Sequence, residues 1–252
     1  MLIDAARSGA QVWLEIGLAL TAAVLLLDSG QLRRQRTPGQ YKPELAWRRA
    51  WAYFCMCLVI GSLSGALATV LGSPLATVEQ LVDPLWWLMT LACAAVVFVG
   101  YAVIWPMGTF TDGRPLHGRV TLLYGSLWGA CQALVFLSIW ALIERSGLGV
   151  WWVAAATFLA IATYNGLWHS LVWDKYVSPP HNYTEWNARK VLLCHTPNLL
   201  VCLTYLAVYG NVGIFVLLQA YALAVSAWAM HFPKWSDDYT APAGQERSIT
   251  AG

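Results

Sequence analysis

The sequence predicts an all-α integral membrane protein, a seven-transmembrane-helix bundle with its N-terminus outside and its C-terminus cytoplasmic. Three observations predict it. Of 252 residues, 58% are hydrophobic and only 11% are charged, whereas a soluble domain carries about 25% charged residues. Seven apolar runs, at 11–27, 50–71, 85–107, 120–143, 150–172, 191–209 and 212–231, are close to the ~20 residues a helix needs to cross a ~30 Å hydrocarbon layer. Thirteen of the 15 Lys and Arg fall on alternate connections, leaving only Arg7 and Arg145 on the other side. By the positive-inside rule that asymmetry orients the bundle.

The same numbers exclude several classes. There are too few polar side chains to cover a water-facing globule, so a soluble fold, a disordered chain and a disulfide-rich secreted module are ruled out. The net charge is +2 with no continuous basic face, which excludes a nucleic-acid binder. The partner these residues imply is the lipid bilayer of the cell membrane, and the 15 Trp suit its interfaces.

Each run has its own justification. Run 11–27 follows a segment with one Arg and one Asp, not a basic leader, and exceeds a signal-peptide core, so it reads as a retained first helix. Its Glu15 lies about a turn from the outer end, close enough to snorkel to the interface. The connection 28–49 is the longest and carries six cations and Gly30, Pro38, Gly39 and Pro43. Runs 50–71 and 85–107 are almost wholly apolar in their middles. Run 120–143 holds Gln132 and run 212–231 holds Gln219, two amides that could hydrogen-bond across helices. Run 191–209 is interrupted by Pro197, which either kinks the helix or, with Thr196 as cap, begins a shorter one; the kink is the simpler reading. Residues 1–235 form a single seven-helix membrane domain and 236–252 a flexible cytoplasmic tail.

All six Cys lie in apolar runs without metal or redox spacing and read as packing residues, Cys55 and Cys57 on different sides of one helix. The polar residues are more informative, because a bilayer excludes them unless they have work to do. On the topology above all five His, at 117, 169, 181, 195 and 231, lie on the cytoplasmic side. The densest polar stretch is 164–198. Asn165 and His169 are four apart and share a helix face; His195 and Asn198 are three apart and do the same on the next run. Asp174, His181 and Glu185 occupy the connection between them, with Pro179 and Pro180 keeping His181 out of helix.

That stretch supports two readings. His169, His181, His195 and Asn165 could hold a divalent metal (Fe, Cu or Zn), since imidazole suits these ions and three ligands leave a position open for chemistry. Alternatively the groups cap helix ends and meet lipid headgroups. No H-x-x-x-H or H-E-x-x-H motif decides between them. The segment Asn165-x-x-Trp168-His169 with Val177-Ser-Pro-x-His181 resembles the copper-site segment of the C subunit of copper-dependent membrane monooxygenases, which implies a copper ligand role for Asn165, His169 and His181. The resemblance spans residues 165–181 only. That family's Asp-x-x-x-His with a later His has no counterpart, because Asp112 and His117 are spaced differently. No family membership is drawn from it.

The leading functional expectation is an integral-membrane enzyme acting on an apolar or lipid-like substrate at the cytoplasmic ends of the fifth to seventh helices, by metal-dependent oxidation or hydrolysis. A metal-free variant uses Asp174 or Glu185, protonated by burial, as the acid of an isoprenoid cyclase or isomerase. A transporter would place polar groups at mid-depth, and the sequence puts them mostly on one side. A non-catalytic subunit that docks on membrane-complex partners is the remaining class.

Overall fold

The structure, a computed structural model, describes residues 43–107, 116–168 and 188–231, and these are helical with no strand among them. The run 11–27 with Glu15, His169 near the end of run 150–172, the connection residues Asp112, Asp174, His181 and Glu185, and the 236–252 tail lie outside the described residues. Four helices are long and apolar enough to cross a membrane, or five if one bent pair counts as a single span.

Helix α1 (Pro43–Ser64) and α2 (Ala66–Gly72) are that pair, turned through 82°. Run 50–71 was expected as one helix, and here the expectation is corrected. Gly65 takes φ +83°, a left-handed conformation that costs glycine little and other residues much. The backbone freed at the break finds partners. Arg145 donates to the Ser64 carbonyl at 3.3 Å, and the Ser64 and Ser138 hydroxyls are 2.7 Å apart.

Helix α3 (Val78–Val82) is a single capped turn: Thr77 accepts from the Gln80 N–H, and the Gln80 amide oxygen accepts from the Thr77 N–H. Hydrogen bonds from its own backbone N–H and with Thr77 hold the exposed Glu79 carboxyl below its usual range. Asp83 then caps α4 (Pro84–Ile104) by accepting from the Leu85 N–H at 2.9 Å, with Pro84 in the first turn where its missing N–H costs nothing.

Helix α5 (Gly118–Glu144) is the longest at 27 residues, and α8 (Val212–Ala229) lies directly against it. The contact is made by Gly125 and Gly129. A Cβ on Gly125 would meet the Leu223 carbonyl at 2.6 Å, and one on Gly129 would collide with the Gln219 backbone. Glycines four apart let two helix backbones touch. Helix α6 (Val150–Trp168) packs on α5, and α7 (Ala188–Tyr209) packs on α4 and α6. Gly210, at φ +62°, and Asn211 make the tight link to α8. Asn211 caps α8 through the Ile214 N–H and donates to the Leu75 carbonyl at 2.6 Å.

Two helices depart from α-geometry. The last turn of α4, Val99–Ile104, and the second turn of α7, Val191–His195, are π-helical. In α7 the Thr196 N–H reaches the Val191 carbonyl, and Pro197 follows at once. Pro197 therefore begins no new helix. The π-turn accommodates it within a continuous one. Leu85, Leu88 and Leu91 on α4, and Trp151 and Trp152 at the head of α6, are exposed, as lipid-facing and interfacial residues should be.

Candidate functional site

The two π-turns face each other, and a cavity lies beside them. Its volume is about 40 Å³, room for about three waters. Tyr101, Gln132, Asn165, His195, Thr196, Asn198 and Gln219 give it polar walls; Phe136, Phe158, Ala162, Val191 and Leu199 complete it. Five helices contribute, α4 to α8.

His195 and Asn198, three apart on α7, both line the cavity, and Asn165 joins them from α6. Of the other proposed residues, His169, His181, Asp174 and Glu185 fall outside the described residues. His117 is exposed at the head of α5, and His231 sits beyond the end of α8 at φ +51°. Neither lines the cavity. Gln132 and Gln219 do, and they lie near the middles of α5 and α8, so the polar region runs deeper than a helix-end cluster.

His195 is held by aromatic rings. Trp105 meets its imidazole at 4.8 Å and 78°, Tyr101 at 5.8 Å and 70°, and the Tyr101 hydroxyl is 3.5 Å from Nδ1. Both rings come from the π-helical end of α4 and the residue after it. Asn198 is 98% buried, given its 2% exposure. Its Nδ2 donates to the Cys194 carbonyl at 2.6 Å, which fixes the orientation of the amide because a carbonyl only accepts. The Oδ1 then faces away from Cys194 and has no hydrogen-bond partner among the described residues. Gly100 makes this possible, since a Cβ there would overlap the Asn198 amide.

Three participants were missed in the sequence. Tyr101 and Gly100 look like ordinary members of an apolar run. Lys190 counts there as a loop cation, yet it is 2% exposed and lies four residues before Cys194 in the same helix. A buried Lys one residue before the cavity wall at Val191 had no distinguishing sequence signal.

Among the described residues no three His, Cys, Asp or Glu side chains gather as a metal-ligand set. Of the four proposed ligands, His195 and Asn165 line one cavity and the other two lie outside the described residues. What the cavity's own groups can do is hydrogen-bond a small polar group, through four carboxamides, a phenol and the Thr196 hydroxyl, and exchange a proton with it through one imidazole. The five buried Cys and the exposed Cys55 are all free thiols away from any such set, in keeping with packing roles. No known protein family, characterised relative or solved structure matches the chain.

Proposed function

We propose that this chain is an integral-membrane enzyme that acts on an apolar or lipid-like substrate at the cavity bounded by α4 to α8. One observation carries the reading: residues far apart in sequence, Tyr101, Gln132, Asn165, His195 and Asn198, turn polar groups into one cavity inside an apolar bundle. A bilayer protein keeps such groups at a cost, which is why they mark function. Phe158, Ala162, Val191 and His195 are only half-buried, so the cavity has an edge through which a hydrocarbon chain could approach. Phe136, Phe158 and Leu199 suit that chain; the carboxamides suit its polar end.

In this reading His195 is the proton-transfer group, oriented by the Tyr101 hydroxyl, and Asn165 and Gln132 position the substrate. Asp174 and Glu185 as acids, and His169 and His181 as co-ligands with His195 and Asn165 for Fe, Cu or Zn, belong to the same proposal. A bound metal would supply Lewis-acid or oxidative chemistry; without one the site would run acid-catalysed isoprenoid cyclisation or isomerisation. The bundle has seven spans in the cell membrane with its N-terminus outside and its C-terminus cytoplasmic; terminal reporters that place both ends on one side, or the N-terminus inside, would contradict this. The depth of Gln132 and Gln219 favours one other reading, a transport path through the same cavity.

The test is turnover. Protein in lipid nanodiscs is incubated with a membrane lipid extract, and conversion is followed by untargeted mass spectrometry alongside elemental analysis. Wild type should convert at least one apolar species, and His195→Ala should slow that conversion by about 10²–10⁴-fold. Metal lost in a His169→Ala/His195→Ala variant would select the metal-dependent chemistry. No converted species, or conversion untouched in His195→Ala and Asn165→Ala, would contradict the proposal.

A further inference from the structure

At the end of the bundle away from the π-turns, we infer that residues 66–83 form an in-plane membrane anchor, with Leu71, Val78 and Val82 seated in the headgroup–acyl boundary of a zwitterionic leaflet. Direction comes first. Helix α1 runs alongside α5 in the same sense: Tyr53 stacks on Trp128 at 4.4 Å, Gly61 lies against Leu134, and Ser64 bonds Ser138. Helix α5 is long and apolar enough to cross a membrane. The 82° turn at Gly65 therefore sends α2 across the direction of the spans, where it packs over α5 and α8. Depth follows from the partners at the break. Ser138 lies about two turns, or ~10 Å, before Arg145 along the helix, and the Arg145 side chain reaches back to the Ser64 carbonyl. The break thus sits within one snorkelling side chain of the charged end of α5. Trp87 donates from Nε1 to the Leu81 carbonyl at 3.0 Å, and Trp151 and Trp152 are exposed at the head of α6, at this same end. Trp rings of this kind mark the interfacial layer.

The segment exposes what that layer takes up. Leu71, Val78 and Val82 are 78%, 74% and 75% exposed, and Leu75 and Leu81 are exposed as well. Apolar surface of this extent marks a contact face. It leads directly into Leu85, Leu88 and Leu91 of α4, the lipid-facing side of a spanning helix. Its polar groups are tied inward: Asn211 donates to the Leu75 carbonyl at 2.6 Å and to Gln80 Oε1 at 3.1 Å. Charge then chooses the headgroup. Residues 66–83 contain no Lys or Arg, and their two charges are Glu79 and Asp83, the latter occupied in capping α4. Nothing in the segment attracts anionic lipid, so its insertion rests on apolar area alone.

The experiment replaces Leu71, Val78, Val82 or Leu88, one at a time, with an environment-sensitive fluorescent amino acid in the full chain held in phosphatidylcholine nanodiscs. All four positions are exposed, so the label displaces no packed neighbour. Depth is read from quenching by lipids brominated at shallow or deep acyl positions, and water contact from quenching by iodide. Labels at Leu71, Val78 and Val82 should lie about 5–10 Å into the headgroup–acyl boundary, out of reach of iodide, with the label at Leu88 deeper. Adding phosphatidylglycerol should leave those depths unchanged. Iodide quenching without bromine quenching would put the segment in water and overturn the inference. Shielding from both quenchers would overturn it in favour of a protein cover, a second copy of the chain if the shielding is lost on dilution with lipid. Depths equal to that of Leu88 would overturn it in favour of a re-entrant loop, and depths that increase with phosphatidylglycerol would overturn the zwitterionic assignment.

Discussion

His195 stands edge to two aromatic rings with one hydroxyl at the limit of hydrogen-bond distance, 3.5 Å from Nδ1. A contact that long positions more than it stabilises. Tyr101→Phe keeps the ring that packs on His195 and removes only the hydroxyl. We therefore expect kcat for the converted lipid to fall about three- to tenfold with KM unchanged, in line with the loss of one weak hydrogen bond. A fall as deep as that of His195→Ala would make Tyr101 itself a reacting group, and no change would remove it from the site. At this scale part of the site was legible. Asn165, His195 and Asn198 stand out because the runs around them are apolar, and helical spacing put the last two on one face. Tyr101 was hidden because an aromatic in an apolar run packs in the core far more often than it serves a site. Gly100 was hidden because close approach to a particular amide is a tertiary fact. Lys190 was misassigned because burial at a helix head carries no local mark.

At the scale of elements, the glycines decide how closely helices approach. Gly129 lies against the Gln219 backbone, and Gln219 lines the cavity, so packing of α5 on α8 also sets the cavity wall. Gly72, at the end of α2, has open space where a Cβ would be. We expect Gly129→Ala to destabilise the protein by about 1–3 kcal/mol or more, since backbone must move. Gly72→Ala should be neutral or stabilising by up to about 1 kcal/mol. Thermal unfolding of the two variants in one detergent gives the comparison, and equal midpoints would contradict the close α5–α8 contact. Five of the expected runs, 85–107, 120–143, 150–172, 191–209 and 212–231, appear as helices within a few residues of their bounds, because ~20 apolar residues in lipid have little choice but to form helix. The breaks were less legible. Gly65 in an apolar run is compatible with a straight helix, and its left-handed turn depends on Ser138 and Arg145 supplying partners from α5 and its end. The π-turns leave no trace in hydrophobic pattern, since they change only which carbonyl each N–H reaches. Pro197 hinted at irregularity and left its form open.

For the whole molecule, the described helices carry exposed Leu, Val and Trp outside and gather their amides inside, the reverse of a water-soluble protein's polarity of exposure. Composition alone foretold that the chain would be helical and apolar enough for a membrane. It could not foretell that polar residues from five helices share one cavity, because that depends on α4 and α7 meeting at their π-turns. Central to the proposed function is that this cavity receives a lipid-like molecule. The most direct measurement is photo-crosslinking of nanodisc-held protein with a diazirine-bearing fatty alcohol, followed by peptide mass spectrometry to locate the adducts. Adducts concentrated on Tyr101, Phe136, Phe158 and Leu199, and suppressed by Ala162→Trp, are the predicted result. Adducts confined to the lipid-facing Leu85, Leu88 and Leu91, unchanged in Ala162→Trp, would contradict it.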